Sequence, residues 1–120
     1  MMTLVRQRPC LGLADIAGQL LAAFEATREA IAADGPVIIV VRSADLLGQG
    51  SLEDAAVANG LLGLMRAVVF EGGAKGWRVN VVATTTGEDP PGEVLSALAL
   101  PGVTGQLLNL NIAAVGKVVP

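Results

Sequence analysis

Apolar positions along this 120-residue chain change their period several times, and each change marks an element. From Leu13 to Ala33, Ile16, Leu20, Ala23, Phe24, Thr27 and Ile31 recur at spacings of three and four, with Glu25, Arg28 and Glu29 between them. That spacing predicts an amphipathic helix, with Asp15 or Asp34 at its ends and Gly35-Pro36 closing it. Val37 to Val41 is an unbroken β-branched run, too short for a buried helix and too apolar for a half-exposed strand, so it predicts an interior strand of a parallel sheet. A glycine-containing loop follows from Arg42 to Gly50. Ser51 with Asp54 three residues on is a capping-box variant opening a long helix from Leu52 to Phe70. Gly72, Gly73 and Gly76 end it, and Trp77 to Ala83 alternates into a second strand. Pro90-Pro91-Gly92 introduces a short helix from Glu93 to Leu100, and Val103 to Leu110 predicts a third strand. Helices alternating with strands imply an α/β fold, and right-handed crossovers make that order a parallel sheet with helices on both faces.

Composition narrows the chemistry. Hydrophobic residues are 52% of the chain and aromatic ones 2%, so aliphatic and alanine side chains must fill the core. Tyrosine and histidine are both absent, which removes two common acid–base groups. The net charge of -3 arises from scattered residues and leaves no basic stripe for phosphates, so nucleic acid is not an expected partner. Cys10 has no second cysteine to pair with, which fits a reducing compartment. The start MMTLVRQRPC carries arginines and a proline where a secretory signal needs an apolar run, and no stretch of about 18 unbroken apolar residues follows. These features predict a soluble cytoplasmic protein without a membrane partner.

The most informative stretch is EDAAVANGLLGLMRAVVFEGGAKGWRVN, from Glu53 to Asn80. Leu61, Leu62, Gly63, Leu64, Arg66, Ala67, Glu71, Gly76, Arg78, Val79 and Asn80 fall in register with the catalytic helix and next strand of the short-chain dehydrogenases/reductases, which this segment resembles. VIIVVRSA (Val37 to Ala44) is similar to that family's strand ending in the catalytic serine. GVTGQLLNLN (Gly102 to Asn111) resembles its last strand, and DIAGQLL (Asp15 to Leu21) the preceding helix, with Asp15 in place of a structural asparagine. The resemblance implies a partial Rossmann-like, three-layer arrangement: three parallel strands, or four if the N-terminal arm joins, flanked by helices. It divides the chain into an arm, residues 1–12, and a carboxyl-terminal half-domain, residues 13–120, related to 3-oxoacyl carrier-protein reductases. Met1 and the terminal-strand resemblance imply an intact small protein.

The same register implies lost chemistry. Asp54 stands where the family has its tyrosine and Ala58 where it has its lysine, so Ser43 is the one surviving member of the catalytic set. Thr84 and Thr85 replace the proline and glycine that hold a nicotinamide, and the glycine-rich pyrophosphate turn is missing. The expectation is no cofactor and no metal. Each of these residues also has a plain structural role: Ser43 at a strand end, Asp54 as a first-turn helix acid, Thr84 to Thr86 as a polar strand exit, Cys10 as an ordinary thiol and Trp77 as a packing residue.

In the family, the long helix and the one before it form the main dimer contact. Ala56, Asn59, Gly60, Gly63 and Ala67 are therefore the expected oligomer interface. A further expectation concerns Val37 to Val41: without the missing half of the sheet its edge needs cover, from Met2 to Gln7 folding back as a strand or from a second chain. Two functions follow. One is a non-catalytic, truncated domain acting as a homodimer or as a hetero-oligomer with a full-length reductase. The other is an NAD(P)-dependent oxidoreductase component whose cofactor site another chain or segment completes.

Overall fold

The computed structural model describes residues 1–111. Its elements are β1 (Thr3–Arg6), α1 (Leu13–Ala32), β2 (Val37–Arg42), α2 (Ser43–Leu46), α3 (Leu52–Gly72), β3 (Val79–Thr84), α4 (Gly92–Leu98) and β4 (Leu107–Asn109), with a 3-10 turn at Gly73–Lys75. One four-stranded sheet in the order β1-β2-β3-β4 pairs every neighbour in parallel. The fold is thus α/β with helices on both faces. The arm supplies the fourth strand: Thr3 pairs with Val37 and Arg6 with Val40, so β1 covers the outer edge of the VIIVV run.

Alternation along the strands sorts the core into two layers. Val37, Ile39 and Val41 of β2, with Val79, Val81 and Ala83 of β3, face α1 and α3, where Ala23, Val57, Leu61 and Met65 meet them. Ile38, Val40 and Val82 face the other way and pack with Leu98 of α4 and with Met2 and Leu4 of the arm. Because β2 and β3 are covered on both sides, every residue of β3 is buried.

This arrangement corrects the expectation of uniform crossover hand. The chain steps across the sheet in one direction throughout, yet α1 and α3 lie on one face and α4 on the other. The crossover through α4 therefore has the opposite hand to the first two, an arrangement rare in parallel sheets. The contacts that fix it are local. Buried Asn80 donates from Nδ2 to the carbonyls of Leu98 (3.2 Å) and Val103 (3.0 Å), and its Oδ1 accepts from the Gln106 amide (3.0 Å). Arg78 donates to the carbonyl of Ala99 at 2.8 Å and that of Asp34 at 3.0 Å, tying the ends of α4 and α1 together.

Element ends follow the sequence with two departures, at α2 and β4. Asp34, at φ 57°, closes α1: its amide bonds the Ile31 carbonyl and the Gly35 amide the Ala30 carbonyl, a Schellman pattern. Gly35 is required for a different reason, since a Cβ there would lie 2.5 Å from the Met1 carbonyl oxygen. Arg42 to Gly50 is not wholly loop, because Ser43–Leu46 forms the single turn α2. The last strand is three residues long, as Val103 to Gly105 turns through Thr104, whose hydroxyl accepts from the Val79 amide at 3.1 Å.

Candidate functional site

Ligands of open parallel sheets bind beyond the carboxyl ends of the strands, and that end of this sheet carries a dense polar knot. Gln7, just past β1, accepts the Arg42 amide on Oε1 at 2.8 Å and donates from Nε2 to Asp45 Oδ2 at 2.9 Å. The Arg42 Nε meets the same oxygen at 2.6 Å, and its Nη2 reaches Asp54 Oδ2 at 3.1 Å. The other Asp54 oxygen accepts the Cys10 amide at 2.8 Å. Four segments, β1's exit, β2's exit, α2 and the first turn of α3, are tied at one point.

These contacts decide what Asp54 can do. The Cys10 amide, followed by Ser51 and Arg42, holds its carboxyl below the usual carboxylate range, against a smaller upward push from partial burial. An ionised, fully engaged carboxylate has no proton to give at neutral pH. Ser51 caps α3 by accepting the Asp54 amide at 3.1 Å. The reciprocal half of the expected capping box is not made, because the Asp54 carboxylate is committed to Cys10 and Arg42. Asp45 and then Asp54 raise the Arg42 pKa, so the guanidinium stays charged.

The remaining positions do not converge on one another. Ser43 is 0% exposed, and its Oγ accepts from Asn111 Nδ2 at 2.8 Å. Ala58 is 0% exposed and sits in the core beneath α3. Thr84 is buried and donates to the Glu88 carbonyl at 3.0 Å, whereas Thr85 is exposed and Thr86 is bonded to the Glu88 carboxylate. Among the described residues no hydrogen bond joins Ser43, Asp54 and Thr84, and no group of three His, Cys, Asp or Glu side chains is placed to hold a metal. Asp15 accepts the Leu11 amide at 3.0 Å and Gln19 Nε2 at 3.1 Å, which ties the arm to α1.

Gln7, Arg42 and Asp45 were not among the positions that sequence reasoning singles out. A signal existed in the Arg42–Asp45 spacing of three at the exit of an interior strand, where two opposite charges on a tight turn meet at low solvent exposure.

The outer face of α3 is a second candidate surface. Ala56, Asn59, Gly63 and Ala67 are exposed, and the row is flanked by Leu52 at 81% and Phe70 at 94% exposure. Among the described residues, a Cβ on Gly63 would meet nothing within 4 Å. Gly60 differs: a Cβ there would lie 2.7 Å from Leu20 Cδ2, so its small size serves the packing of α3 on α1 within the chain. The segment Leu52–Lys75 is also long and apolar enough, by length and composition, to cross a membrane; here its inner side packs on the sheet.

No family model matches the chain, and no curated protein matches it.

Proposed function

We propose that this chain is a non-catalytic domain of short-chain dehydrogenase/reductase type that works by association, as a soluble cytoplasmic homodimer or as the partner of a full-length reductase. It uses no cofactor of its own. The observation that carries the reading is Gly63. A glycine inside a helix costs about 0.5–1 kcal/mol relative to alanine, and nothing among the described residues requires one at this position. A second backbone approaching α3 across Ala56, Asn59, Gly63 and Ala67 does require it. Leu52 and Phe70 then lose their exposure to the same partner. Gly60 belongs to this set only through the α1–α3 pairing that shapes the surface.

The loss of catalysis is supported by Asp54, whose carboxylate is held by Cys10 and Arg42, and by Ala58, which carries no functional group. The covered edge of β2 removes one reason for association, so the case rests on the helix face alone.

Sedimentation equilibrium is the direct test. The wild-type chain is expected as a dimer at micromolar concentration, and Gly63→Leu as a folded monomer. A wild-type monomer that also fails to retain any reductase from its native lysate sinks the association reading. Saturable NADPH binding by the isolated chain, followed by nucleotide fluorescence, would favour the cofactor-using alternative instead.

A further inference from the structure

The chain has three aromatic residues, Phe24, Phe70 and Trp77, and two of them line one groove. It runs between the carboxyl-terminal halves of α1 and α3, at the opposite end of the sheet from the polar knot, and encloses about 340 Å³. That is within the range of small-molecule pockets, about 300–1,000 Å³. Phe24 and Ile31 come from α1, Val68 from α3, and Trp77 closes the end. The Trp77 ring is a fixed wall, because it lies over Gly72 so closely that a Cβ there would stand 1.7 Å from its Cε3.

Polar groups complete the site. Thr27 lines the groove, is 1% exposed, and among the described residues its Oγ1 has no hydrogen-bond partner. A buried hydroxyl normally finds one, so this one is short of a partner that a ligand can provide. Arg28 and Glu71 stand at the rim, and the Lys75 Nζ lies 5.1 Å from the centre of the Trp77 ring. Arg28 and Glu71 balance each other on the lining, and Lys75 beside the Trp77 ring adds the positive charge that favours an anion there.

We propose that this groove binds a small aromatic carboxylic acid, its ring between Phe24 and Trp77 and its carboxylate toward Thr27 and Arg28. The apolar face of a second copy is the competing occupant, but leucine, alanine and phenylalanine side chains offer the Thr27 hydroxyl nothing. The inference does not depend on the association reading, since the groove lies on the α1 side of α3 and Gly63 on its exposed row.

The test is a titration of the ¹⁵N-labelled chain with 2-naphthoate, read by amide chemical shifts. Saturable shifts are expected in residues 24–32 and 68–77, including the Trp77 indole N–H, with 2-naphthalenemethanol binding more weakly. Thr27→Val should weaken naphthoate about tenfold or more, as expected for loss of a hydrogen bond to a charged group. Ala32→Phe, at an exposed position on the groove wall, should abolish binding while the spectrum stays dispersed. The proposal is overturned by the absence of saturable shifts up to about 5 mM, an affinity too weak to matter, or by shifts confined elsewhere. It is equally overturned if the groove amides move with protein concentration in the absence of naphthoate, which would identify a second copy as the occupant. An unchanged affinity in Thr27→Val would refute the carboxylate's assigned position.

Discussion

At the scale of single residues, Asp54 shows how a position can keep its place and change its work. Removing its carboxylate leaves Arg42 with one acidic partner and the Cys10 amide with none. Asp54→Ala should therefore destabilise the chain by about 1–2 kcal/mol, the lower part of the range for charge-assisted bonds because Arg42 is partly solvated. The pH dependence has a definite sign. The folded carboxyl titrates below its unfolded value of about 3.9, so its stabilisation is fully present above that pH and is lost as pH falls through the lower folded value. Urea titrations at stepped pH should show an acid limb that is shallower in Asp54→Asn than in wild type. An unchanged limb would mean that the Cys10 and Arg42 contacts do not persist in solution. Asp54 was legible in the sequence as a helix-opening acid. Its partners were not, because Cys10 is 44 positions away and only the folding of the arm brings it near.

Among elements, the junctions held most of what sequence periodicity missed. The long helices and the two central strands were legible because each has an uninterrupted pattern over many residues, and their observed bounds differ by a residue or two from those expected. The α2 turn and the brevity of β4 were not legible: one is a single turn hidden among loop-forming residues, and the other depends on Asn80 fixing where the chain turns. Asn80→Leu tests that dependence. It would strand two carbonyls and one amide, and should cost about 3 kcal/mol or more. Hydrogen exchange should show β4 and α4 losing protection before β2 does. The α3–β3 junction has a separate weak point in Gly72, where the Trp77 ring occupies the space of a side chain. Gly72→Ala should destabilise by about 1–3 kcal/mol through overpacking, despite alanine's better helix propensity. A red shift of the single tryptophan's emission at unchanged helix content would locate the damage there.

For the molecule as a whole, the arm determines whether four parallel strands can exist as a unit. Met2 and Leu4 join the cluster on the α4 face, Val5 joins the one beneath α1 and α3, and Gln7 bonds both Arg42 and Asp45. Arg6 adds a two-pronged ion pair with Asp89, at 2.7 and 2.9 Å, across to the loop after β3; both partners are solvent-exposed and screened, so the clusters and Gln7 dominate. Sequence reasoning left two ways to cover β2, and could not choose because six residues with a single β-period are too few to distinguish a strand from an arm. The register answers in favour of the arm, which makes its removal more damaging than its length suggests. A chain lacking residues 1–8 would uncover the unbroken β-branched edge from Val37 to Val41, a flat apolar template for pairing with other copies. It should form large assemblies at micromolar concentration, seen by size-exclusion chromatography, with a rise in thioflavin fluorescence. A synthetic peptide of residues 1–12 added during refolding should return a soluble species of the original size, whereas the same peptide carrying Val5→Asp should not, since the charge would have to enter the core layer. A truncated chain that stays soluble and folded without the peptide would show that the edge is protected by something other than β1.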